Sequence, residues 1–150
     1  MKKLNILLIC FLFLLNISIH SQTLEDAFNI SASGLMVQRV RLNIIAENLA
    51  NVSTLRDEST GLPYQKKYVV LATAESGVKI SSIEQSTEPF LKYFDPAVPG
   101  SDEDGFFYYP NVDIPGEMVN LSYTEIIYEA NSTVFKNTKT MYQQAIELMR

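Results

Sequence analysis

Apolar residues return at every seventh position near both ends of this chain. Phe28, Leu35, Leu42 and Leu49 form one series, with Ile45 between two of its members. Ile127, Val134, Met141 and Leu148 form the other, with Ala130 and Ala145 between. A seven-residue repeat gives a stripe narrower than the face of a globular helix, and closer to a coiled-coil seam. The spacing predicts one helix over about Leu24–Asn51 and a second over about Pro115–Met149. The second would be roughly 50 Å long at 1.5 Å per residue. A lone helix of that length with a single apolar seam needs a partner. Pro115 suits a helix start, where its missing N–H costs nothing. Asp26 and Glu117 place negative charge near the two starts, favourably for the helix dipole.

Between the helices the period changes. "YQKKYVVLAT" alternates and is rich in valine and tyrosine, which predicts a strand over Tyr64–Thr73. "GVKISSIEQS" reads as a second strand opened by Gly77. "PFLKYF" and "GFFYYP" read as short aromatic strands on either side of the turn-rich "DPAVPGSDEDG". The expected fold class is α+β: terminal helices pairing into one rod-like unit, with a small β module inserted between them. The expected divisions are a leader at 1–21, an N-terminal helix at 22–54, a β-rich insertion at 55–114 and a C-terminal helix at 115–150.

The leader rests on "MKKLNILLICFLFLLNISIH", which has a charged start, an apolar core and a polar exit. Ser21 is the expected last leader residue. An uncleaved anchor and a start codon set too far upstream are the competing readings; the apolar run is shorter than the roughly 20 residues a membrane span needs. Without residues 1–21 the chain loses Cys10 and His20, its only cysteine and only histidine, and there is no tryptophan. Losing Lys2 and Lys3 takes the net charge from −5 to −7. An acidic chain without a basic patch points away from nucleic acid. A small exported domain without disulfides must be held by packing or by assembly with partners.

The inventory for chemistry is thin. Cysteine nucleophiles and Cys/His zinc are excluded once the leader is gone, and G-x-S-x-G and phosphate-cradling glycine loops are missing from the sequence. Asp102, Glu103, Asp104 and Gly105 resemble part of a calcium loop, but no bidentate glutamate follows at the right spacing, so a solvated turn is expected. Five Asn-x-Ser/Thr triplets begin at Asn16, Asn29, Asn51, Asn120 and Asn131, and chance in an Asn/Ser/Thr-rich chain accounts for them better than glycosylation. The expectation is no catalytic residue, no cofactor and no metal.

"RLNIIAENLANVST" poses a different question. Asn43, Asn48 and Asn51 punctuate a helix although asparagine competes with the backbone for hydrogen bonds. Asn48 and Asn51 lie three apart on one face, and Ala46 and Ala50 would let another helix approach. Two readings stand: the amides fix register across a helix contact, as a buried polar residue does in coiled coils, or Asn48, Asn51 and Thr54 only end the helix. Asn51 also suits a left-handed helix end.

The longer stretch "ISASGLMVQRVRLNIIAENLANVST" resembles the N-terminal signature of the bacterial flagellar rod and hook family, carried by Ser31, Ser33, Gly34, Gln38, Arg41, Asn48, Leu49, Ala50, Asn51 and Thr54. "GLPYQKKYVV", "GVKI", "GFFYYPNV", "EMVNL" and "YEAN" narrow the resemblance to basal-body rod proteins of the FlgC type, over residues 24–150. The resemblance implies a structural, non-enzymatic subunit of the proximal rod, in the periplasmic basal body. Its partners would be copies of itself and other rod subunits in a helical assembly that transmits torque, with no small-molecule substrate. The expected contact residues are Leu35, Arg41, Leu42, Ile45, Asn48, Leu49, Asn51, Ile127, Val134, Met141 and Leu148. The leader departs from the family, whose members begin near "ISASG" and leave through the flagellar export apparatus; that bears on the export route. The competing readings are a secreted binding module or adhesin with a β domain on a helical stalk, and an exported carboxylate enzyme.

Overall fold

The computed structural model describes residues 2–57 and 60–149, with side chains from residue 24 onward. The expected leader therefore lies outside the described residues as far as its side chains are concerned. Two long helices flank four strands. Helix α1 is Lys2–Ala50, β1 is Lys67–Thr73, β2 is Val78–Gln85, β3 is Leu91–Phe94, β4 is Phe106–Tyr109 and α2 is Ile114–Leu148. The α+β class and the four strands match the sequence pattern. Among the described residues, no helix is long and apolar enough to cross a membrane.

The helix ends follow from short polar side chains. Asp113, with extended backbone, accepts a hydrogen bond from the Gly116 N–H and caps α2, and Pro115 occupies its first turn. At the end of α1 the Asn51 amide donates to the Glu47 carbonyl at 2.9 Å, and Asn51 Oδ1 accepts from the Thr54 hydroxyl. The expected left-handed Asn51 is not found: no described residue other than glycine has a positive φ. The side chain closes the last turn itself, so the backbone need not reverse hand.

The strands form two separate antiparallel hairpins. β1 pairs with β2 from Lys67↔Gln85 to Thr73↔Val78, with a bulge at Val70/Leu71. β3 pairs with β4 from Leu91↔Tyr109 to Phe94↔Phe106. The long turn between them is tied by Asp102, whose carboxylate accepts from the Phe106 and Asp104 N–H groups. The Phe106 N–H, helped by the Tyr108 hydroxyl, the Asp104 N–H and Lys92, holds the Asp102 carboxyl below its ordinary value despite opposing desolvation.

Only a thin core is buried: Val37, Ile44, Ile45, Tyr64, Phe107 and Val112 among the described apolar residues. Helix α1 packs against α2 and the β1–β2 hairpin, and among the elements α2 touches α1 alone.

Candidate assembly site

Two features decide what this chain can do: how the helices are joined inside the protomer, and what that leaves uncovered. The join centres on Asn48, 1% exposed. Its Nδ2 donates to the Lys67 carbonyl at 2.9 Å and to Glu117 Oε2 at 3.1 Å. Its Oδ1 accepts from the Lys67 N–H and the Tyr64 hydroxyl, both at 2.9 Å. That uses both donors and both lone pairs of the amide. Asn48 lies on α1 and its partners come from the chain entering β1, the start of β1 and the start of α2, so one side chain holds three parts of the fold together.

Charge completes the clamp. Glu117, 2% exposed, pairs with Lys66 Nζ at 2.8 Å. Lys67 Nζ pairs with Glu47 at 2.6 Å. Buried Asn111 accepts from the Lys66 N–H and donates to the Glu88 carbonyl, stitching the chain before α2 to the strand entry. Burial, then the carboxylates of Glu47 and Glu117, push the Tyr64 phenol up from 10.0 to about 12.

Along the rest of the helix pair the residues that α2 buries are polar. Asp113's helix buries Glu117, Thr124 and Thr138, and half-buries Asn131 in the same seven-residue series. The Thr124 and Thr138 hydroxyls donate to carbonyls four residues back, so they are buried without a partner on α1. Ser31, buried on α1, likewise donates to the Phe28 carbonyl. A Cβ on Gly34 would stand 2.8 Å from Asn131 Nδ2, so glycine permits close approach at the middle of the pair. Phe28 and Phe135 meet at 4.5 Å between ring centroids near the far end.

The serine before that glycine has a separate task. Ser33 Oγ donates to the Ile30 carbonyl and accepts from the Val78 N–H at 3.2 Å. Gly77, at φ +97°, lies so close that an added Cβ would overlap the Ser33 hydroxyl. The S-x-S-G stretch thus seats the β1–β2 turn with one residue and α2 with the next.

The predicted contact residues divide accordingly. Ile45 and Asn48 are buried inside the protomer; Leu35, Arg41, Leu42, Leu49, Asn51 and Ile127 are half-buried. Val134, Met141 and Leu148 are 47%, 55% and 89% exposed. The helices do pair, but the apolar seam of α2 is not what joins them. From Val134 onward that seam is exposed, as are Tyr123 and Ile126 beside half-buried Ile127. The two amides divide the work: Asn48 fixes a contact within the protomer, with two bonds to strand backbone and one across to α2, while Asn51 ends the helix. Sequence reasoning missed Tyr64, Lys66, Lys67, Asn111 and the clamp role of Glu117. The signal for α2 was present, because Glu117, Thr124, Asn131 and Thr138 repeat by seven as regularly as the apolar series does.

Two helices joined largely through polar side chains, with large apolar side chains exposed along α2, are features of a structural protein. Residues 28–56 match the family model described as "Flagella basal body rod protein". Residues 103–148 match "Flagellar basal body rod FlgEFG protein C-terminal". The chain is 32% identical over 150 residues to the flagellar basal-body rod protein FlgC of Borreliella burgdorferi, covering 85% of this chain and 98% of the relative. The FlgC of Bacillus subtilis is 34% identical over 147 residues, covering 84% and 98%. That of Salmonella typhimurium is 36% identical over 131 residues, covering 83% and 97%. The chain belongs to the FlgC family of flagellar basal-body rod proteins, a family of structural subunits and not of enzymes. These matches give no support to a secreted adhesin.

Proposed function

We propose that this chain assembles with copies of itself and with other rod subunits into the helical rod of the flagellum where it crosses the periplasm. The end helices, within 22–54 and 115–150, make the contacts, and the β-rich insertion at 55–114 sets the outward surface. The observation that carries this reading is the exposed stripe of Val134, Met141 and Leu148 beside a polar seam within the protomer. Large apolar side chains left uncovered at regular helical spacing mark a surface that another protein covers. Leu35, Leu42 and Leu49, half-buried at the flank of α1, extend the apolar surface on offer. Of the expected contacts, Asn48 and Ile45 act indirectly, by holding the helices in the shape that neighbours meet.

The test pairs Val134→Asp with Met141→Asp in the full-length chain. Both sites are exposed in the protomer, so its unfolding free energy is expected to change by no more than about 0.5 kcal/mol. The same variant is expected to be missing from purified basal bodies by mass spectrometry, and its cells non-motile. A variant that enters basal bodies at wild-type level would remove the stripe from the account.

A further inference from the structure

The stripe on α2 is not the only apolar surface left open. The β3–β4 hairpin packs against no helix and no other strand among the described elements. A two-stranded hairpin is at best marginally stable in water until a helix or a further strand covers its apolar face. Its open side is a cleft of about 510 Å³ whose lining includes Leu91, Tyr93, Phe94, Phe107 and Tyr109, with Asp95 the only charged residue. Leu91 and Tyr93 are exposed, and Phe94 is 67% exposed. The hairpin is also acidic: Asp95, Asp102, Glu103 and Asp104 stand against one cation, Lys92, whose ammonium lies 3.7 Å over the Phe106 ring. None of the four carboxylates forms an ion pair among the described residues.

The far end of the helix pair has the complementary character. Phe28, Lys139, Tyr142 and Ile146 line a cleft of about 450 Å³ there, with Glu25 the one carboxylate among its described lining. Tyr142 and Ile146 are exposed. From Ala130 to Ile146, α2 carries Lys136 and Lys139 and no carboxylate. At 3.6 residues per turn, Lys136, Lys139, Tyr142 and Ile146 fall within about 120° of one another, so cations and apolar side chains share a face. Both lysines are exposed, and neither forms an ion pair among the described residues.

The acidic cleft and the basic one cannot meet within a chain. The hairpin leads into α2 at Ile114, and Tyr142 lies roughly 42 Å further along that helix. A four-residue strand spans about 14 Å. The turn beyond β3 is folded back on itself, since the Asp95 N–H donates to the Gly105 carbonyl at 3.0 Å and the Asp102 N–H to the Phe106 carbonyl at 2.8 Å. The hairpin tip therefore stops far short of its own Lys139.

We infer that the β3–β4 hairpin of one copy packs its aromatic cleft on the far end of the helix pair of a second copy, with Glu103 and Asp104 facing Lys136 and Lys139. This rests on the assembly reading above. A second copy is the occupant because one chain carries both halves of the match, opposite in charge and both open, too far apart to satisfy each other. A contact between two different surfaces of identical subunits is head-to-tail, and when the rotation does not close it builds a helix and not a ring. Apolar contact supplies the attraction, and complementary charge fixes which end meets which.

The experiment is a charge swap in the full-length chain, read by swimming in soft agar and by the amount of chain in isolated basal bodies. E103K/D104K alone and K136E/K139E alone are each expected to reduce both readouts by about tenfold or more. Combining all four is expected to restore them to within about threefold of wild type. K139E faces Glu25 of its own chain, so the urea midpoint of each purified variant is measured alongside. Rescue by hairpin substitutions roughly 40 Å away cannot come from relieving that repulsion. If K139E unfolds the chain, K136E combined with E103K carries the same swap. A combined variant no better than the worse parent, or either parent at wild-type level, would overturn the contact. Failure of the assembly reading looks different: there, the Val134/Met141 variant also enters basal bodies at wild-type level.

Discussion

At the residue scale, Asn48 turns a poor helix former into a buried side chain with every hydrogen-bonding group met. Asn48→Ala leaves the Lys67 N–H and carbonyl, the Tyr64 hydroxyl and a Glu117 oxygen short of a partner in a buried site. An unmet buried group costs about 1–3 kcal/mol, so a loss of about 2–4 kcal/mol is expected after local relaxation, measured by urea unfolding. Tyr64 makes the same site sensitive to alkali. Its phenol is raised to about 12 in the folded chain, so the folded state keeps a proton that the unfolded state releases above pH 10. Stability is untouched by this group below about pH 10 and falls as the pH rises from there toward 12. Tyr64→Phe should flatten that fall while costing about 1 kcal/mol at neutral pH, as unfolding midpoints on either side of pH 10 will show. The sequence marked Asn48 as unusual but could not name its partners. Those partners lie 16, 19 and 69 positions away, and no local pattern links them.

At the element scale, the helices and β1 were legible from their periods, and β3 and β4 from short aromatic runs either side of a turn-rich stretch. What the period could not say was which seven-residue series on α2 faces inward. Hydrophobicity favours the apolar one, and in a free-standing helical hairpin that choice would be right. Here the inward series is Glu117, Thr124, Asn131 and Thr138, and its threonines can be buried because their hydroxyls bond to their own helix. The attachment of the β1–β2 hairpin was equally hidden. Ser33 and Gly77 are 44 positions apart, and only the fold shows that the hydroxyl needs the space a side chain would fill. Gly77→Ala both strains a backbone at φ +97° and crowds Ser33 and Ile30. It is expected to cost about 1–3 kcal/mol and to speed amide exchange at Val78 and along β2, with α2 little affected.

At the scale of the whole molecule, little apolar surface is buried and much is left outside, as suits a part of something larger. The helix pair is held at three stations along its length: Phe28 on Phe135, Gly34 beneath Asn131, and Asn48 bonded to Glu117. The two polar stations have a mechanical consequence. Apolar surfaces resist being pulled apart but have no fixed register, so one can creep past another when pushed lengthwise. Hydrogen bonds and a side chain lodged over a glycine resist that creep, because sliding by even one residue breaks them. In the assembly proposed above, a shaft under torsion would load each protomer in shear. Shear would then meet the riveted seam, and the greasy faces turned outward would be free to settle against their neighbours.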